Sequence, residues 1–147
     1  MLPQQDRTSA AETFIRILIS HVREGVVQDM LNLLEKRMPG LAPPPNKLAL
    51  HSWYQQLDIN SQQHIHEIIR EAVDSTLFST LVILDGSAGG YPVKDKLSDF
   101  AIYLQIYQDK EARSVDKPQV SIRINPTGAT EDLHDMFSWF LHGEQQS

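Results

Sequence analysis

The chain has 147 residues, 41% hydrophobic and 22% charged, with a formal charge of -6 and no cysteine. That length buries a core without staples, and the composition excludes wholesale disorder, disulfides, thiolate metal sites and cysteine nucleophiles. Basic residues are scattered singly, and the closest pairs, Lys36-Arg37 and Lys94/Lys96, sit beside acids, so nucleic-acid binding is not expected.

No run approaches the ~20 apolar residues that span a bilayer, and no secretory leader is recognisable. The expectation is a soluble, cytoplasmic single domain over residues 1–147, with a loose leader at 1–8 and a polar tail at 143–147. Ser9-x-x-Glu12 has the capping-box pattern, and Ala11, Phe14, Ile15, Leu18, Ile19 and Val22 follow it as one helical stripe. Gly25 breaks that helix or sits inside it; Val27, Met30, Leu31, Leu34 and Met38 continue the spacing to Pro39-Gly40. Pro43-Pro44-Pro45 reads as a short polyproline linker. Asn46 then caps a short helix with Ala49, Leu50, Trp53, Tyr54 and Leu57.

Asp58, Asn60 and Ser61 form a turn and the N-cap of a central helix at about 61–84. Its first part is one-sided, with Ile65, Ile68, Ile69, Ala72 and Val73 opposite His66, Glu67, Arg70, Glu71 and Asp74. Beyond Asp74 it is apolar all round, through Leu77, Phe78, Leu81, Val82, Ile83 and Leu84, as if enclosed on every side. Asp85-Gly86 ends it, and a glycine-rich loop follows.

The period then changes to two. Phe100, Ile102, Leu104 and Ile106 alternate with Ala101, Tyr103, Gln105 and Tyr107; Val120, Ile122 and Ile124 alternate with Gln119, Ser121 and Arg123. An antiparallel hairpin at about 98–108 and 118–125 is the economical arrangement. Two strands alone are marginal, so Thr80–Leu84 and Tyr91–Lys94 are candidates for a third. Asn125-Pro126-Thr127-Gly128 is turn chemistry, and Thr130 caps a last helix at about 130–142 with Leu133, Met136, Phe137, Phe140 and Leu141 inward. The fold class is α+β, a helical bundle around the central helix with a β-hairpin and a C-terminal helix.

No catalytic constellation emerges. His64 and His66 point apart on a helix and cannot share an ion. Glu131-x-x-His134 occurs once, whereas helical di-iron sites need it twice, and Glu131 and Asp132 are explained as first-turn acids favoured by the helix dipole. The glycines after Asp85 close a helix instead of opening one, unlike a phosphate loop, and Ser87 lacks a nucleophile elbow. Neither a metal nor a cofactor is expected. Trp139 falls opposite the apolar stripe of the last helix, beside Asp135; either another element covers it, or it is an exposed anchor. Tyr103 and Tyr107 raise the same question on the first strand.

Trp53-Tyr54-Gln55-Gln56-Leu57, Val73-Asp74-Ser75-Thr76-Leu77-Phe78 and Leu84-Asp85-Gly86 resemble a small bacterial family of uncharacterised domains, over about residues 50–141. Some acidic single-domain proteins of this kind are similar to immunity proteins that neutralise toxins. The resemblance carries no catalytic motif and implies no site residues.

The expected function is a non-enzymatic protein-interaction domain, immunity-type or regulatory, with Trp139, Asp135, Tyr103 and Tyr107 on its surface. The alternatives are a small-molecule or catalytic pocket beside the 85–95 loop, rimmed by Asp85, Tyr91 and Asp99, and a structural homodimer using the tyrosine face.

Overall fold

The computed structural model describes residues 4–36, 44–86, 91–93, 96–98, 100–125 and 132–143. The helices are α1 (Gln4–Ile17), a π-helical segment (Leu18–Arg23), α2 (Glu24–Glu35), α3 (Pro45–Tyr54) and α4 (Ile59–Leu84). Strands β1 (Tyr91–Val93), β2 (Lys96–Ser98) and β3 (Tyr103–Ile106) follow, then α5 (Lys110–Ser114), β4 (Val120–Arg123) and α6 (Leu133–Gly143). The fold is α+β, mostly helical, with two two-stranded antiparallel sheets among the described residues and a C-terminal helix. Contacts cluster in two compact units: Leu18–Leu77, and Met1–Ile17 with Phe78–Ser147.

The helical unit, Leu18–Leu77, buries Val27, Leu31 and Leu34 of α2 with Tyr54 of α3. The N-terminal apolar stripe does not run on unchanged: the π-helical segment shifts its phase, and Val22 is exposed. Gly25 sits inside α2 with open space where a Cβ would be, so it neither breaks the helix nor makes room for a neighbour. Pro44 takes the N-cap position of α3 and Pro45 the first helical turn, which its fixed φ suits, displacing the expected Asn46 cap.

Side chains satisfy the orphaned carbonyls at two helix ends. His51 Nδ1 lies 2.7 Å from the Leu34 carbonyl, and Gln55 Nε2 donates to the same oxygen. Gln62 Nε2 donates to the carbonyls of Tyr54 and Leu57.

The polar face of α4, read as a solvated surface, is in part a docking face. Arg23 Nε and Nη2 donate to the two oxygens of Asp74 at 2.5 and 2.9 Å, a bidentate pair. Hydrogen bonding to Asp74 raises the Arg23 pKa, although burial opposes it. His66 Nε2 lies 2.6 Å from the Tyr54 hydroxyl and 3.1 Å from Glu35 Oε1, so α2, α3 and α4 meet at one nitrogen. Burial, and then the charge of Glu35, pushes the Tyr54 hydroxyl above its ordinary range. Ile68, assigned to the apolar face, is exposed instead.

The mixed unit has its core where α1 packs on α6 and β4. Ala10, Ala11 and Ile15 are buried in α1, Leu81 in α4, Ile122 and Ile124 in and just after β4, and Leu133, Met136, Phe137 and Phe140 in α6. The helix begins at Gln4, ahead of the expected capping box; Ser9 lies inside it, and its carbonyl accepts from the Thr13 hydroxyl. The all-round apolar end of α4 is not enclosed on every side. Only Leu81 there is buried, while Phe78 and Ile83 are exposed, because the described partners cover one face.

Strands β3 and β4 pair antiparallel with Leu104 opposite Ile122 and Tyr103 opposite Arg123. The inward face therefore carries Leu104 and Ile122, and the outward face Tyr103, Gln105, Ser121 and Arg123. Of the two candidates for a third strand, Thr80–Leu84 is helical; Tyr91–Val93 is a strand but pairs with Lys96–Ser98 as a separate sheet. The polar connection within the hairpin forms α5, capped by Asp109, whose Oδ1 accepts from Ala112 N at 2.8 Å.

Asn125 is the hub of the mixed unit. It is fully buried; its Oδ1 accepts from Ile102 N, and its Nδ2 donates to the carbonyls of Leu84 and Phe100. The Leu84 carbonyl is one of the orphans at the end of α4, where Gly86 takes the left-handed φ of 73°. Asn125→Ala strands these buried groups, and we expect a loss on the order of 3 kcal/mol in urea unfolding.

Asp58 caps α4, which begins at Ile59 where the expected start was about 61: Oδ1 accepts from Asn60 N and Ser61 N, and Oδ2 from the Ser61 hydroxyl. The hydroxyl and these amides hold the Asp58 carboxyl below its usual range. A depressed folded pKa contributes stability fully present above the unfolded carboxylate pKa of about 4. That stability is lost as pH falls through the folded value. The stability difference between wild type and Asp58→Ala should therefore shrink on acidification below about pH 4, measured by urea unfolding across pH.

Candidate functional site

The outward surface of α6 and the polar cluster at its first turn hold most of the expected site residues. A helix places residues four apart on one face, so Asp135 and Trp139 lie together, with Asp132 and His142 one turn away on either side. The opposite stripe, Leu133, Met136, Phe137 and Phe140, is consumed by the core. Trp139 is 65% exposed, and the Asp135 side chain is 63% exposed. No element in the described structure covers this face, so the open question about Trp139 resolves in favour of exposure.

The indole nevertheless has a defined seat. It meets Phe140 edge to face with ring centroids 4.8 Å apart, and a Cβ at Gly143 would come into ordinary contact with it. Phe140 is in turn covered by the Arg16 guanidinium, 4.2 Å from its ring centroid. An exposed tryptophan held by a buried ring keeps its apolar surface presented at low conformational cost.

Among the described residues α6 begins at Leu133, and the expected cap at Thr130 lies outside them. Its cap comes from a distant part of the chain. Asp85 Oδ2 accepts from the backbone N–H of His134 at 3.0 Å and from His134 Nδ1 at 2.8 Å. A carboxylate only accepts here, so His134 Nδ1 carries a proton. His134 Nε2 is 3.6 Å from Asp135 Oδ1, and Phe78 packs edge-on against the ring, with centroids 5.4 Å apart.

The remaining expected site residues separate. Tyr103 is 52% exposed on the outward face of β3. Tyr107 is half-buried, and its hydroxyl donates to Gln105 Oε1 at 2.5 Å and lies 3.1 Å from Asp116 Oδ1. Burial and then Asp116 raise its pKa. Its polar end is thus committed to its own hairpin. Asp85 is buried, and its Oδ2 is committed to the first turn of α6. Tyr91 lies in β1 at the register position opposite Ser98, while Asp99 and the glycine loop at 87–90 lie outside the described residues.

A cavity is present elsewhere. In the helical unit an apolar groove of about 420 Å³ is lined by Val22, Val26 and Met30 on one side and by Ile69, Val73 and Leu77 of α4 on the other. Sequence reasoning missed it because these residues fit a buried stripe equally well. It also missed the Asp85–His134 pair, whose members are 49 positions apart.

Truncating Trp139 should leave the fold nearly intact. We expect Trp139→Ala to cost about 1 kcal/mol or less in chemical denaturation. Phe137→Ala, two positions away but buried, should cost about 3–5 kcal/mol.

Compared with protein families, with curated proteins and with solved structures, the chain gives no match.

Proposed function

We propose that this chain is a non-enzymatic protein-interaction module whose working surface is the outward face of α6. The observation that carries the reading is Trp139, a large apolar side chain exposed beside Asp135 and seated on a packed ring. Tryptophan is the residue type most enriched at interface hot spots, because it brings much apolar area with few rotors to freeze. Acidic groups around it, within a chain of formal charge -6, suit a basic protein surface and speed encounter with it. An immunity-type or regulatory binding protein, acting by occluding its partner, matches that chemistry. Tyr103 extends the same reading to the outward face of the hairpin.

A second reading, binding of a small apolar molecule, is favoured by the groove in the helical unit, whose volume falls within the range of ligand sites. This groove is distinct from the pocket expected beside the 85–95 loop, part of which lies outside the described residues. The groove offers almost no polar group to orient a ligand, which is why the interaction reading stands first.

Affinity capture from cells that produce the protein tests the leading reading, with wild type compared against Trp139→Ala and Asp135→Lys after circular dichroism shows all three folded. The expected result is a stoichiometric partner retained by wild type and lost by both variants. A partner retained equally by all three would move the interface off α6. A second copy of the chain as the only captured species would make the function self-association, and elution volume at two concentrations would register it.

A further inference from the structure

We propose that Asp132, His134 and Asp135 bind one divalent transition-metal ion of the zinc class, with Asp85 as the buried carboxylate that orients the ligating histidine. This inference stands on the first turn of α6 and on Asp85 beside it, and does not depend on the interaction reading.

Each of the three residues can offer one ligand atom, and these atoms all lie within 4.8 Å of one another. Spacing of that order lets one ion gather them through side-chain rotation. Proximity alone is weak evidence, since acidic groups crowd many helix starts for the sake of the dipole. The sequence supports no more than that bland explanation.

What the tertiary structure adds is Asp85. Its side chain is fully buried, and Oδ2 takes the Nδ1 proton of His134. This leaves Nε2, 3.6 Å from Asp135 Oδ1, as the nitrogen that can ligate an ion. A carboxylate behind a histidine is the usual support of such a ligand: it sets the tautomer, holds the ring and raises its basicity. The other oxygen, Asp85 Oδ1, is buried and has no hydrogen-bond partner among the described residues. A buried carboxylate oxygen without a donor is costly. An ion on Nε2 would polarise the ring and strengthen the Nδ1–H bond to Asp85 Oδ2.

The charge balance points the same way. The ion pairs recorded for Asp85 and Asp135 are with His134. Asp85 and Asp135 thus flank one imidazole from its two nitrogens, at Nδ1 and Nε2. One nitrogen and two oxygens suit zinc or a neighbouring transition ion better than calcium, which prefers oxygen ligands throughout. Three protein ligands leave a coordination position for water or for a group from another molecule.

The test is calorimetric titration of Zn²⁺ into the metal-stripped full chain, with Co²⁺ absorption as a second readout of ligand geometry. We expect a single saturable equivalent. Affinity should fall at least roughly tenfold in His134→Ala and in Asp135→Ala, and about 10–100-fold in Asp85→Asn. Asp135 is solvent-exposed, so its variant keeps the test decisive even where a change at His134 or Asp85 disturbs the fold. Glu67→Gln, on α4, should bind as wild type does. Absence of saturable binding by wild type at millimolar Zn²⁺ would overturn the proposal. So would binding that Asp135→Ala leaves unchanged, since the ion would then sit elsewhere.

Discussion

The mixed unit depends on one buried side chain, the amide of Asn125. Where α4 stops, its last carbonyls have no helical partner, and the chain entering β3 brings further backbone groups out of water. Asn125 meets both needs, accepting from Ile102 N and donating to Leu84 O and Phe100 O. Only a side chain with a donor and an acceptor on one planar group does this from a single position. A second constraint locks the same residue, as Arg123 donates its Nε to the Asn125 carbonyl at 2.7 Å. Apolar burial around Phe137 and Ile124 then has a defined frame to fill.

The adjacent residue extends this frame to the last helix. Asp85 follows Leu84 directly, and it accepts from the first turn of α6 while aligning His134. Two consecutive positions at the end of α4 therefore fix the hairpin and the C-terminal helix. The helical unit solves the same problem with different groups. Its helix ends are closed by His51, Gln55 and Gln62, and its polar junctions are the Arg23–Asp74 pair and the Glu35–His66–Tyr54 meeting point. In both units polar side chains decide register, and apolar ones supply most of the burial energy.

The functional consequence is a division of labour along α6. Its inward stripe closes the core, its first turn is tied to Asp85, and its outward face is left with Trp139 and Asp135. Presentation of an anchor is only as good as the rigidity behind it. Here that rigidity comes from Phe140 and from Arg16 stacked over it. The apolar groove between Val26 and Ile69 has no comparable polar companion.

Periodicity by itself determined the elements: the helical stripes of α1, α2 and α6, the long α4, and the alternation that makes β3 and β4 partners. These follow from local geometry, in which the repeat of apolar positions is a direct image of one face. The outward placement of Trp139 was also legible, because its angle on the helix follows from counting. Coverage of that face was not, and neither was the cap of α6, because both depend on segments far away in the chain. Asn125 read only as turn chemistry, since nothing local distinguishes an exposed turn asparagine from a buried hub. His66 and Asp74 read as solvated, because their partners Tyr54, Glu35 and Arg23 lie on other helices. Tertiary structure decided these points for one physical reason: a polar side chain finds its partner through space, and its own neighbours in sequence carry no record of which group that is.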